Sequence, residues 1–215
     1  DMETIVSVCR ALACGPRLRL LHPLSLASEL RVGELVGRSG LAEDVVSAHL
    51  RVLAGAGLVE RRRSGAKVYY RLASELPGLF RPTRLVHRAF AEPLWAVRGW
   101  DEEGLLHLRS VELGDMGQEV QRVLDVLFDA ATAFTNLRRV QVTKLLHEMG
   151  ICNEEGIRAD LSMSRAACYR HVDKLERRGY IRERQRGLWA LASRHRTPFH
   201  RGLFLLVVRR LQALR

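Results

Sequence analysis

Cysteine is scarce, four in 215 residues, too few for a disulfide scaffold, and a reducing, cytoplasmic setting is expected. Long apolar runs are missing as well. The longest, Leu203 to Val208, is closed by Arg209 and Arg210, far short of the roughly 20 residues that cross a bilayer. No membrane partner is therefore expected. The opening residues lack the charged, apolar and small-residue succession of a secretory signal. Catalytic signatures are absent: there is no glycine-rich phosphate loop, no Ser/His/Asp set in context and no carboxylate pair in an apolar setting. The expectation is a protein that is not an enzyme and needs no cofactor.

Negative charge is the other deficit. Thirty-five Lys plus Arg face 24 Asp plus Glu, a formal charge of +11, which calls for a polyanionic partner. The excess is uneven: residues 1–72 carry 11 positive and 7 negative groups, 73–131 carry 6 and 10, and 132–215 carry 18 and 7. Two basic ends around an acidic middle suggest two footprints on nucleic acid joined by a segment that need not touch it.

Apolar spacing predicts helix over the first 22 residues, interrupted at Gly15-Pro16 and ended by Pro23. A short helix over Val32 to Gly37 and a second from about Ala42 to Ala54 follow, with Val46, Leu50 and Leu53 on one face. The period then changes. Leu58 to Arg63, Ser64-Gly65 and Lys67 to Leu72 read as a hairpin with a basic first arm. Helix, short helix, turn, helix, hairpin is the order of a winged helix-turn-helix, in which the second helix of the turn enters the major groove and the hairpin lies along phosphates. The motifs Gly15-Pro16-Arg17-Leu18-Arg19-Leu20-Leu21, Val32-Gly33-Glu34-Leu35, Ser47 to Leu53 with Gly57-Leu58-Val59, and Gly65 to Leu72 resemble those of the ArsR/SmtB winged-helix repressors. The resemblance implies a homodimer that represses a nearby promoter and is released by some signal, a small-molecule effector included.

The pattern returns 122 residues later: His49, Leu53, Gly57, Arg62 and Gly65 match His171, Leu175, Gly179, Arg184 and Gly187. The expected fold is mainly α with small β-hairpin wings, tandem winged helix-turn-helix domains joined by a helical linker. Its expected divisions are 1–75, a linker or dimerisation segment over 76–131, a second winged helix over 132–193 and a packing helix over 194–215. A chain with two readers has a second option, acting as a pseudo-dimer on an asymmetric site.

In the first reading helix Glu43, Asp44, Ser47, Ala48 and Arg51 are expected to face DNA. Two are acidic, so either one accepts a hydrogen bond from a cytosine amino group or the unit reads no sequence and its wing, Arg61, Arg62, Arg63 and Lys67, supplies backbone affinity alone. The second helix offers Ser164, Arg165, Tyr169, Arg170, His171 and Lys174. Arg165 and Arg170 are the candidates for guanine, and the alternation of Arg182, Arg184 and Arg186 places all three on one side of the second wing. Arsenic sensors of the resembled family carry cysteines in the bracing helix, where this chain has Arg31 and Gly33, and no metal site is expected. The rival readings are a winged-helix protein-interaction scaffold and a binder of double-stranded RNA.

Overall fold

In the computed structural model, which describes residues 1–74, 80–97 and 116–214, the Asp1 carboxylate caps α1 (Met2–Leu12) by accepting from the Thr4 amide. α2 (Gly15–Leu26) starts at the Gly15-Pro16 break, where proline's missing N–H costs nothing. Pro23 does not end this helix, contrary to the sequence reading. It lies buried inside the last turn, where burial of Leu20, Leu21 and Leu24 around it outweighs one forgone backbone bond.

β1 (Leu30–Arg31), α3 (Val32–Ser39), α4 (Glu43–Gly55), β2 (Val59–Ser64) and β3 (Lys67–Leu72) follow, then α5 (Thr83–Ala91) and α6 (Pro93–Val97). The strands form an antiparallel sheet in the order β1-β3-β2. Next come α7 (Met116–Thr132), α8 (Leu137–Met149), β4 (Ile151–Asn153), α9 (Glu154–Leu161), α10 (Arg165–Arg177), β5 (Ile181–Gln185), β6 (Leu188–Leu191) and α11 (Pro198–Gln212). Their sheet has the order β4-β6-β5. The described residues are mainly helical with two small antiparallel sheets. Part of the expected linker segment, residues 76–79 and 98–115, lies outside the described residues.

The element order of the first half recurs in the second. α9 and α10 begin and end 122 residues after α3 and α4. Left-handed backbone falls at matching places, Gly40 and Ser162, Gly57 and Gly179, Gly65 and Gly187. The recurrence reaches further than the sequence motifs. Ile5, Val8, Cys9 and Leu12 of α1 are buried, and so, 122 residues on, are Leu127, Ala130, Ala131 and Phe134.

One apolar core runs through both halves. α1 packs on α7 and α8, α7 packs on α2, and α5 packs on α11. Phe134 and Tyr180 lie 4.7 Å apart between ring centres, and the Tyr180 hydroxyl donates to the Ala130 carbonyl. Asp129 of α7 ties this helix to its neighbours through Arg178, Arg196 (3.1 Å) and His200 (3.1 Å).

Candidate nucleic-acid interface

α4 buries Val46, Leu50 and Leu53 and exposes Glu43, Asp44, Ala48 and Arg51, with Ser47 and His49 half-buried. Its N-cap, Ala42, offers no side-chain acceptor. Glu43 and Asp44 occupy the first turn, where carboxylates complement the positive end of the helix dipole. The acidic pair thus has a structural task besides any contact with a base.

α10 is built the opposite way. Ser164 caps it, its hydroxyl accepting from the Ala167 amide at 3.3 Å, so this predicted contact residue is committed to the helix end. Cys168, Val172 and Leu175 are buried, and Arg165, Tyr169 and Arg170 are exposed. Arg165 lies 3.3 Å from Glu154 with its side chain 80% exposed, a pair worth little in water. His171 and Lys174 are half-buried. Burial first, then Arg139, Arg170 and Arg138, holds the His171 imidazole below its ordinary value. Burial and the neighbouring Arg178, Arg139 and Arg177 lower Lys174 likewise. Both point toward the scaffold more than the other candidates do.

The first wing separates its arginines. Alternation along β2 sends Arg61 and Arg63 to one face and Arg62 to the other. Arg62 donates from Nε to Glu29 at 3.0 Å and lies over the Tyr69 ring, 5.1 Å from its centre. Its hydrogen bond to Glu29 lowers that carboxyl below its usual range. Arg61, Arg63 and Lys67 are exposed and make no ion pair among the described residues. Arg71 of the return strand is paired to Glu60 at 2.9 Å.

In the second wing Arg182, Arg184 and Arg186 are all exposed and free of ion pairs among the described residues, but they do not share one side of a strand. The register slips between Glu183 and Gln185, leaving Arg184 as the extra residue, and Arg186 falls in the turn. The bulge resets the alternation on which the expectation rested. The Glu183 carboxylate accepting from the Gly187 amide fixes this turn.

Sequence reasoning missed the groups that hold these surfaces. Arg17 donates to the carbonyls of Ala11 and Arg10 at the end of α1, and Arg139 donates to those of Ala133 and Thr132 after α7. The 122-residue offset relates the two arginines and was readable. Glu29 and Asp129 gave no local signal, since their partners lie 33 to 71 residues away. Cys9 is buried, and burial raises its thiol; Cys168 is buried and raised for the same first cause. His87 and Glu92 are engaged by the Ser25 carbonyl and by Arg88. No cluster able to hold a metal ion occurs among the described residues, and none of their helices is long and apolar enough to cross a membrane.

The profile of a family described as bacterial regulatory protein, arsR family, matches residues 15–61, from the start of α2 into β2. The HTH-type transcriptional regulator Rv0324 of Mycobacterium tuberculosis is 38% identical over 74 residues, 34% of this chain and 32% of that protein. The transcriptional activator HlyU of Vibrio cholerae is 36% identical over 88 residues, 40% of this chain and 78% of that protein. Among solved structures, the homodimeric winged helix-turn-helix DNA-binding domain Mb0332 of Mycobacterium bovis, a possible ArsR-family transcriptional regulator, is 35% identical. The match covers 41% of this chain and 73% of that one, with a TM-score of 0.34. The chain spans about a third of the first relative's length and over three quarters of the second's.

Proposed function

The chain belongs to the arsR family of bacterial regulatory proteins, and from that premise we propose that it is a sequence-specific regulator of transcription that binds double-stranded DNA through two winged-helix domains and represses. The named relatives are transcriptional regulators, not enzymes. The observation that carries the proposal is the repeated surface: an exposed helix face on α4 and α10, each followed at the same distance by a hairpin bearing three exposed cations that make no ion pair among the described residues, Arg61, Arg63 and Lys67, then Arg182, Arg184 and Arg186. The division into 1–75, 76–131, 132–193 and 194–215 is proposed with one refinement. α5 goes with the first unit, because it packs on α2, and α7 with the second, because α11 packs on it. Repression is the outcome the family resemblance implies, and the releasing signal is proposed to be a small-molecule effector.

Gel retardation across a salt series tests the reading. Neutralising 6 to 10 phosphates weakens binding roughly 10³- to 10⁵-fold between 50 and 200 mM salt. An interaction scaffold retards no duplex at any salt, and preference for double-stranded RNA in competition replaces the partner.

A further inference from the structure

A two-fold dimer has a recognisable contact pattern: the same element of each subunit meets across the axis, and every cross-contact occurs twice with the roles exchanged. Among the described residues this single chain contains that pattern at its centre, while the smaller contact of α5 with α7 is not matched by a comparable one between α11 and α1. α1 meets its counterpart α7; α1 lies on α8, the counterpart of α2, while α7 lies on α2; and α5 meets its counterpart α11. The Arg10 guanidinium donates across this seam to the Thr135 carbonyl at 2.9 Å. The seam is part of the one continuous core, so the two halves fold as a joined pair.

The halves are paired but not alike where they face outward. Glu43 in α4 stands where α10 has Arg165, Ala48 where α10 has Arg170, and Val52 where α10 has Lys174. The wings differ in the same sense: Arg62 is held by Glu29, whereas Arg184, its counterpart, has Ile151 at the place of that glutamate and makes no ion pair among the described residues. Identical readers related by a two-fold axis require a palindromic site. Readers of opposite charge on the same scaffold do not.

We infer that one chain is a complete operator-reading unit, an internal dimer whose unequal readers select a non-palindromic duplex, α10 taking one half and α4 the other. The inference rests on the DNA-binding reading above. A homodimer of this chain then carries four reading helices.

Selection of duplexes from a random pool by the full chain, followed by native mass measurement of the complex, tests it. The expected result is a motif without two-fold symmetry holding one chain per duplex. Arg165→Ala with Arg170→Ala changes base preference at one end of that motif and weakens binding about tenfold or more. Glu43→Gln with Asp44→Asn changes preference at the other end. Hydroxyl-radical footprints of the unaltered chain, which need no variant to fold, show two unequal protected patches. A palindromic motif holding two chains, or both variant pairs altering the same bases, overturns the inference while leaving DNA binding intact. Failure of every duplex to bind at low salt removes the DNA-binding reading itself.

Discussion

Arg17 and Arg139, 122 positions apart, make the same two bonds: each Nε and Nη2 reaches back to the last carbonyls of the preceding helix, Ala11 and Arg10 in one half, Ala133 and Thr132 in the other. Helix ends leave carbonyls without intrahelical partners, and a guanidinium fork satisfies two at once. The turn from α1 into α2, and from α7 into α8, is thereby fixed. Hydrogen bonds to charged groups contribute about 1.5 to 3 kcal/mol, so Arg139→Met is expected to cost about 2 kcal/mol in urea unfolding. A loss under about 0.5 kcal/mol would show that the turn holds without its brace.

The two reading helices are started by different chemistry, and stability separates them. Ser164→Ala removes the hydroxyl that accepts from Ala167 and is expected to cost about 1 kcal/mol. At α4 the equivalent change at Ala42 does not exist. There the first-turn carboxylates act through the dipole, and neutralising Glu43 and Asp44 together is expected to cost on the order of 1 kcal/mol, shrinking as salt is added. The Ser164 effect is expected to change far less with salt. Equal salt responses would refute the distinction.

This contrast also shows how far the sequence could be read. Boundaries of α3 and α4 were legible to within two residues because glycine must supply left-handed backbone just past their ends. The same periodicity said nothing of β1 and β4, two and three residues long, which exist only through pairing with distant hairpins. α7 was visible as a helix but not as the counterpart of α1. Ala130 and Ala131 share with Val8 and Cys9 only smallness and burial, and burial is a property of the assembled core. The engagement of Arg62 by Glu29 was likewise invisible across 33 positions.

That engagement makes the first wing's arginines unequal toward DNA. Arg61→Ala or Arg63→Ala removes an exposed cation that makes no ion pair among the described residues, and each is expected to reduce the slope of log affinity against log salt by about one. Arg62→Ala is expected to reduce it by less, because Glu29 already neutralises that charge, and to free Glu29 instead. Retardation at four or five salt concentrations measures all three. A slope change at Arg62 as large as at Arg63 would mean the ion pair opens on binding.

Acid is expected to weaken the fold through histidines packed inside the second half. His195 lies against Phe204 and Tyr180, 4.6 and 5.8 Å between ring centres. Burial lowers its pKa to about 4, against the opposing hydrogen bond with the Gly179 carbonyl. An unfolded histidine titrates near 6.5. Between about 6.5 and 4 the unfolded chain therefore binds a proton that the folded chain refuses, and stability falls as pH drops through that window. His200 is lowered too, by burial, although Asp129 pulls it the other way, so it adds in the same direction. Asp129 has its own lower window. Burial raises it, but His200, Arg178 and Arg196 together outweigh that and leave it depressed, so its contribution is lost as pH falls below the ordinary carboxylate range. The expected loss from His195 between pH 7 and 4 is on the order of 2 kcal/mol after allowing for solvent screening. Thermal melts at pH 7, 6, 5 and 4 should show a declining midpoint, and His195→Phe, which keeps the ring but cannot titrate, should flatten the decline. A variant whose midpoint falls as steeply as the parent's would place the acid sensitivity elsewhere.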